Sequence, residues 1–354
     1  MDTGFNFYKD GISVDFYDVF EPITPGTSGI NTGFIANGTD LGQLFAPGNS
    51  TIITSYKDNS GNDLGNYFFP KLPFNTTGAF RTGATNNYYY AIFTNTNSEK
   101  TVSPIIGDIS LNFICVGGGG GGGGSSSNES DGGGGGGGTY KHTVYVTDVD
   151  VDIVYSITVG VGGTGAPGGE YTAASGGISQ VVNNNQFIVK CTGGGGGTFE
   201  GAGTGGNVFI NNSTTASPYG NGGNGGDRRN GSNCYYNNSV SGVSLDIPPE
   251  IINSDTEYIS NYYAGGGGGG KGDSDTMSYA GGQGGGSVNP DPNTGLGGNW
   301  GGEVSGQTAS NGQPGNGYGS GGGAGGYTSS TRYRGGDGKE GIVICYALLP
   351  DSSV

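Results

Sequence analysis

The sequence predicts a mainly β protein. A small β-framework closes around packed glycine helices of the polyproline-II type, preceded by an N-terminal module of short Asp-x-x-x-x-Phe-x-Pro repeats. Three observations predict this. Unbroken glycine runs occupy Gly117–Gly124, Gly132–Gly138, Gly193–Gly197 and Gly265–Gly270. Short stretches of alternating apolar and polar residues lead into several of them. Residues 193–340 lack aliphatic periodicity, yet a structureless segment of that length does not suit a compact domain.

The first element is the repeat module. Asp15 to Pro22, Asp40 to Pro47 and Asp63 to Pro70 share one pattern, with Phe20, Phe45 and Phe68 at the same internal position. The Asp can cap a helical turn by accepting backbone N–H bonds. The Pro two residues after the Phe ends that turn. Each unit is too small to bury its own apolar face, so the units stack or dock on a partner. Coincidence is the competing account, and three copies with fixed internal spacing argue against it. This module is placed at 1–107 and the glycine-rich domain at 108–354.

Strands come next. Tyr88–Phe93 is a β-prone run. Ile109, Leu111, Phe113 and Cys115 alternate with Ser110, Asn112 and Ile114. Val149 to Val159 alternates at every second residue, and Phe187, Val189 and Cys191 run straight into Gly193. Ile342–Tyr346 reads as a buried strand. The segments at 109–115 and 342–346 are far apart and chemically alike, so they are expected to pair and close the domain.

The glycine segments are the remaining element. Thirteen of the 83 glycines lie in residues 1–116 and seventy in 117–354. Ordering a glycine backbone costs about 1–2 kcal/mol per residue with no side chain to bury in return. Such runs are disordered unless they do something only bare main chain can do. A left-handed helix of three residues per turn, rising about 3.1 Å per residue, has no internal hydrogen bonds. Its N–H and C=O groups must pair with neighbouring helices, assisted by Cα–H···O contacts. The chain carries 22 Tyr and 15 Phe with only 12% charged residues, unlike a typical disordered sequence. Collagen is excluded, because glycine does not recur at every third position throughout.

The net charge is −16, which repels phosphate backbones and argues against nucleic-acid binding. No apolar run approaches the roughly 20 residues of a membrane helix. The N-terminal residues lack a basic start and an apolar core, so no secretory leader is expected. Asn-x-Ser/Thr triplets at Asn37, Asn49, Asn75 and Asn212 are expected by chance in so Asn-, Ser- and Thr-rich a chain. Cys115, Cys191, Cys234 and Cys345 form no Cys-x-x-Cys pair. Buried thiols are the favoured account of the three in strand-like runs, with a disulfide as the alternative.

A hydrophobic strand entering a glycine run (FICVGGGGGGGG), the later YSITVGVGG, and a closing Gly338-x-x-Gly341-Ile-Val-Ile together resemble the glycine-rich domain of phage tail-fibre and tail-tip adhesins. Related domains occur in structural proteins of giant DNA viruses. The resemblance covers residues 108–354. It implies a β-framework around packed polyglycine-II rods, with connecting loops able to bind a host receptor. The N-terminal repeats are likewise similar to repeats in virion proteins. The resemblance therefore implies a viral structural protein located in the virion: a fibre-tip adhesin, or a minor capsid protein bridging coat subunits. Its partners would be other virion proteins, its own copies or a host receptor. The Asn-, Ser- and Tyr-rich insertion at 207–263 departs from the short loops of that family, so no receptor-binding residue is carried over.

Motifs with chemistry are few. Gly265–Gly270 before Lys271 imitates a phosphate loop, but Gly272 stands where Ser or Thr would ligate magnesium. His142 is the only histidine and sits in a predicted strand. Asp148, Asp150 and Asp152 fall on one strand face and are the metal candidate, for Ca²⁺. A solvated edge that discourages strand addition is the favoured account of them. Asp273 and Asp275 do not fit calcium-repeat spacing. Arg332-Tyr333-Arg334 and Arg228-Arg229 are candidate anchors for an acidic neighbour, with a solvated surface favoured for each. Tyr235, Tyr236, Tyr258, Tyr262 and Tyr263 are either contact residues or covers for glycine rods. Partner contacts are accordingly assigned to Phe20, Phe45, Phe68, Tyr235, Tyr236, Tyr262 and Tyr263. No cofactor is expected, and no acid, base and nucleophile come together in the sequence, so the chain is read as a non-enzyme. The alternative function is a secreted or cell-wall glycine-rich matrix protein.

Overall fold

A computed structural model describes residues 73–348 except 86, 95–97, 106, 126–131, 148–152, 171, 199–200, 218–219, 226–244, 257, 260–262, 264–309 and 327–330, together with five short strands between residues 6 and 40. The chain divides into two units, Met1–Pro73 with Leu349–Val354, and Phe74–Leu348. In the first unit β1 (Asn6–Lys9) and β2 (Ile12–Asp15) form a hairpin. There β3 (Glu21–Pro22), β4 (Phe34–Ala36) and β5 (Thr39–Asp40) pair antiparallel. Phe20, Phe45 and Phe68 lie outside the described residues.

The second unit is mainly β. Its strands are β6 (Phe74–Thr77), β7 (Arg81–Ala84), β8 (Tyr88–Phe93), β9 (Thr101–Pro104), β10 (Ile109–Val116) and β11 (Thr139–Val146), followed by β12 (Tyr155–Thr158), β13 (Ser179–Asn183), β14 (Gln186–Cys191), β15 (Val208–Ile210) and β16 (Ile342–Leu348). Two antiparallel sheets result, ordered β11-β10-β16-β8-β7 and β15-β14-β13-β12-β9-β6. The strands at 74–104, which precede the compositional change at 108, are built into both sheets.

The predicted closure is present. β16 lies beside β10, with Cys345 opposite Phe113 and Ile344 opposite Ile114. Strand period decides which side chains face inward. Phe74 meets Tyr89 at 5.0 Å between ring centroids, and Phe113 meets Tyr155 at 5.3 Å, joining the two sheets in a sandwich. Between them lie the thiols of Cys115, Cys191 and Cys345, all buried and free. The Cys191 thiol donates to the Cys115 carbonyl at 3.2 Å, and burial pushes the Cys191 and Cys345 thiols well above their usual pKa. Cys234 lies outside the described residues.

The other face of the five-stranded sheet carries Tyr90, Ile92, Ile114, Ile342, Ile344 and Tyr346, covered by Leu245, Ile247, Ile251, Ile259 and Tyr263. Helix α1 (Pro249–Ser254) holds Ile251 in that layer. Proline at its first turn suits a helix start, where no N–H bond is lost. Between β13 and β14, Asn184 and Asn185 have φ of 48° and 61°, the left-handed geometry of a two-residue hairpin.

Ser179 ties sheet to glycine. Its buried hydroxyl donates to the Val116 carbonyl at 2.6 Å and accepts from the Gly160 N–H at 2.9 Å. Ser179→Ala removes the acceptor of the Gly160 N–H and one donor to the Val116 carbonyl in the interior. It is expected to cost about 1–3 kcal/mol in urea unfolding, with the slope against denaturant unchanged.

Candidate functional site: a bundle of glycine segments and an aromatic rim

Every framework strand near the bundle runs directly into a glycine-bearing segment. β10 continues into 117–125, 132–138 leads into β11, β14 continues into 192–198, and 333–341 leads into β16. The sheets thereby set where each segment starts and which way it points.

The hydrogen bonds of 117–125 follow a three-residue cycle. The N–H groups of Gly117, Gly120 and Gly123 donate to Gly138, Gly135 and Gly132. Those of Gly118 and Gly121 donate to Gly177 and Ala174, and those of Gly119, Gly122 and Ser125 to Lys339, Gly336 and Tyr333. Acceptors step just as regularly. The carbonyls of Gly118 and Gly121 accept from Gly194 and Gly197, those of Gly119 and Gly122 from Gly163 and Ala166, and those of Gly120 and Gly123 from Gly322 and Gly325. Six segments thus surround one, the three that accept its N–H bonds running antiparallel to it and the three that donate to it running parallel. The donor–acceptor distances are 2.8–3.1 Å, ordinary amide values.

From Gly117 to Gly122 this arrangement admits no side chain. A Cβ on Gly120 would overlap the Gly195 carbonyl oxygen, and one on Gly122 the Gly323 carbonyl oxygen. Residues 117–125 are all buried. Outer segments differ. In 310–316 only Gly312 and Gly315 are buried, three residues apart, while Asn311, Gln313, Pro314 and Asn316 are exposed. Side chains are admitted where a segment turns a face to solvent. The carboxylate of Asp337 also reaches inward, accepting from the Gly165 N–H at 2.8 Å.

An aromatic rim lies where α1, the edge strand β7 and the outer segments meet. Phe80 and Tyr258 are 5.1 Å apart, and Tyr258 and Tyr318 6.4 Å. Arg81 lies over the Tyr258 ring at 6.0 Å and Lys339 over the Tyr318 ring at 5.7 Å. Arg81 also grips Asp255 with two nitrogens, Nε at 3.1 Å and Nη1 at 3.2 Å. Phe80 is 49% exposed. Sequence reasoning found only Tyr258 of this group. Arg81, Tyr318 and Lys339 are isolated in the sequence, and nothing marks them before folding brings them together.

Of the predicted contact residues, Tyr263 is placed in the core. It is 2% exposed and its hydroxyl donates to the Tyr258 carbonyl at 3.3 Å. Its ring fills the layer beneath α1, so its assignment as a surface contact is corrected. Tyr235, Tyr236 and Tyr262 lie outside the described residues, as do Asp148, Asp150 and Asp152. Among the described residues no cluster of three or more His, Cys, Asp or Glu could hold a metal, and no helix is long and apolar enough to cross a membrane. His142 sits half-buried on the edge strand β11, opposite Phe113, and burial lowers its pKa. Arg334 is exposed and pairs with Asp337.

A family model described as a glycine-rich domain matches residues 94–348. The chain belongs to that glycine-rich domain family. The match takes in β9 to β16 and all the glycine segments described above, while β6, β7 and β8 precede it. No curated protein matches the chain.

The bundle makes a sharp distinction among glycines. Gly120→Ala is expected to destabilise the domain by about 3 kcal/mol or more, the upper end of overpacking costs. At Gly201 an added Cβ meets only the Thr198 hydroxyl, at 3.9 Å. Gly201→Ala is expected to stay within about 0.5 kcal/mol. Thermal unfolding of the two variants side by side measures the difference.

Proposed function

We propose that the glycine segments are polyglycine-II rods and that the protein is a non-enzymatic structural component of a virus particle. It acts as a rigid body that contacts other particle proteins or a host receptor. One observation carries this reading: hydrogen-bond partners change with a period of three residues. A helix with three residues per turn presents each of its sides at that interval, and no strand ladder does so. An interior built of main chain, with six neighbours around a central segment, resists bending in every lateral direction. Rigidity of this kind suits a shaft, tip or joint in a particle. The resemblance of the strand-into-glycine motifs to tail-fibre and giant-virus proteins gives the particle context.

The three Asp-x-x-x-x-Phe-x-Pro units between Asp15 and Pro70 are proposed as the docking module that attaches this body to its neighbours through Phe20, Phe45 and Phe68. The rim of Phe80, Tyr258 and Tyr318 offers a second contact. Aromatic rings give large contact area at low entropic cost.

Immuno-electron microscopy with antibodies to the purified protein tests the assignment. Regular labelling of purified particles, at fibre tips or at shell joints, is the expected result. Labelling confined to extracellular matrix, with bare particles, would overturn it in favour of a matrix protein.

A further inference from the structure

Three antiparallel pairs of glycine segments around the bundle share one arrangement, in which a side chain stands in for a backbone neighbour. In the first pair the N–H groups of Ala173 and Gly176 donate to the carbonyls of Gly197 and Gly194. Between those bonds the Ser175 hydroxyl accepts from the Gly196 N–H at 3.4 Å. In the second pair Gly222 and Gly225 donate to Gly206 and Gly203, and the Asn224 side-chain oxygen accepts from the Gly205 N–H at 2.8 Å. In the third pair Gly335 and Gly338 donate to Ala166 and Gly163, and the Asp337 carboxylate accepts from the Gly165 N–H. The offsets are the same each time. The side chain stands one residue before a glycine donor, and it binds the amide two residues past the carbonyl which that donor reaches.

The receiving residue is glycine for a steric reason. A Cβ on Gly196, Gly205 or Gly165 would overlap the carbonyl oxygen of Ala173, Gly222 or Gly335, two residues before the side chain in each pair. Other amides of the same segments point into the bundle. Gly194 and Gly197 donate to Gly118 and Gly121, Gly203 and Gly206 to Gly133 and Gly136, and Gly163 and Ala166 to Gly119 and Gly122. The amides that the side chains hold therefore belong to a different side of each segment. That side lies at the surface, because Ser175 and Asn224 are exposed and the Asp337 side chain is about half-exposed.

We propose that Ser175, Asn224 and Asp337 are clasps that close the perimeter of the bundle to the main chain of a second copy of this protein. The inference rests on the polyglycine-II reading above. A row of backbone N–H groups at an edge is a template for another chain, as it is at a sheet edge. The hazard is greater on a glycine rod, because no side chain holds a second backbone away. Each clasp gives the edge amide an oxygen fixed to its own partner segment, and its side chain stands on the side from which the next rod would approach. Ser, Asn and Asp suit this task, since each carries an oxygen acceptor on a short side chain. A glycine follows each of them and makes the adjoining backbone bond. Contacts with other proteins are thereby left to side-chain surfaces such as the Phe80 and Tyr258 rim, and rods are not added without limit.

Sedimentation velocity and hydrogen exchange of the full chain test this. Ser175→Gly with Asn224→Gly removes two clasps at exposed positions. This double variant is expected to form dimers or larger assemblies of the wild-type species while 117–124 stays protected from exchange. Ser175→Thr with Asn224→Asp keeps both oxygens and is expected to sediment with the wild type. In the wild type, the amides of Gly165, Gly196 and Gly205 are expected to exchange at least about tenfold slower than in an unstructured peptide. Free-peptide rates at those three amides with 117–124 protected would overturn the proposal by themselves and leave the rod reading intact. A double variant of wild-type size would also overturn it. So would association that the oxygen-keeping variant shares, or that comes with loss of protection at 117–124. Fast exchange at 117–124 in the wild type would overturn the rod reading and the proposal together.

Discussion

The fold depends on how closely main chains can approach one another. Between 117–125 and its neighbours, amide-to-carbonyl distances of 2.8–3.1 Å bring whole backbones together, and a Cβ on any of Gly117 to Gly122 would strike a carbonyl oxygen. A hydrogen bond contributes a net of about 0.5–1.5 kcal/mol, against about 1–2 kcal/mol to order each backbone. One segment paired on one side cannot hold its shape. A segment that donates to three neighbours and accepts from three others can, because Cα–H···O contacts between them add about 0.5–1 kcal/mol each. Order in the glycine region is therefore collective.

Such a collective interior needs a template, and the sandwich supplies one. Its strands end where glycine segments begin, so the antiparallel alternation of the sheets becomes the alternation of the segments. The join is secured chemically as well as by continuity. Ser179 bonds the last carbonyl of β10 and the amide of Gly160 at once. The apolar layer under α1 fixes β8, β10 and β16 in register. Conventional side-chain packing thus stabilises one half of the unit, and that half orients the half that has no side chains.

Much of this is legible in the sequence, for definite physical reasons. The alternation of Ile109 to Cys115 and the apolar run Ile342–Tyr346 mark strands buried on a face, and their pairing follows. Unbroken runs such as Gly117–Gly124 mark segments enclosed on all sides. Gly312 and Gly315, spaced by three among polar residues, mark a segment at the rim. What the sequence concealed depends on tertiary context. Tyr263 sits in a Tyr-rich stretch that looks like a contact surface, yet its ring completes the core beneath α1. Arg81, Tyr318 and Lys339 carry no local signal and meet only through the fold. Asn184-Asn185 is a hairpin turn in plain sight, obscured by the abundance of asparagine around it.

The central claim is that these segments bond to one another in a cycle of three. Through-hydrogen-bond scalar couplings, measured by NMR on deuterated, isotope-labelled protein, report each amide's acceptor directly. The account predicts correlations from the nitrogens of Gly117, Gly120 and Gly123 to the carbonyl carbons of Gly138, Gly135 and Gly132, with Gly118 and Gly121 correlating to Gly177 and Ala174. Correlations from all five amides to a single neighbouring segment, or none across 117–124 while the β10–β16 ladder is visible, would contradict it.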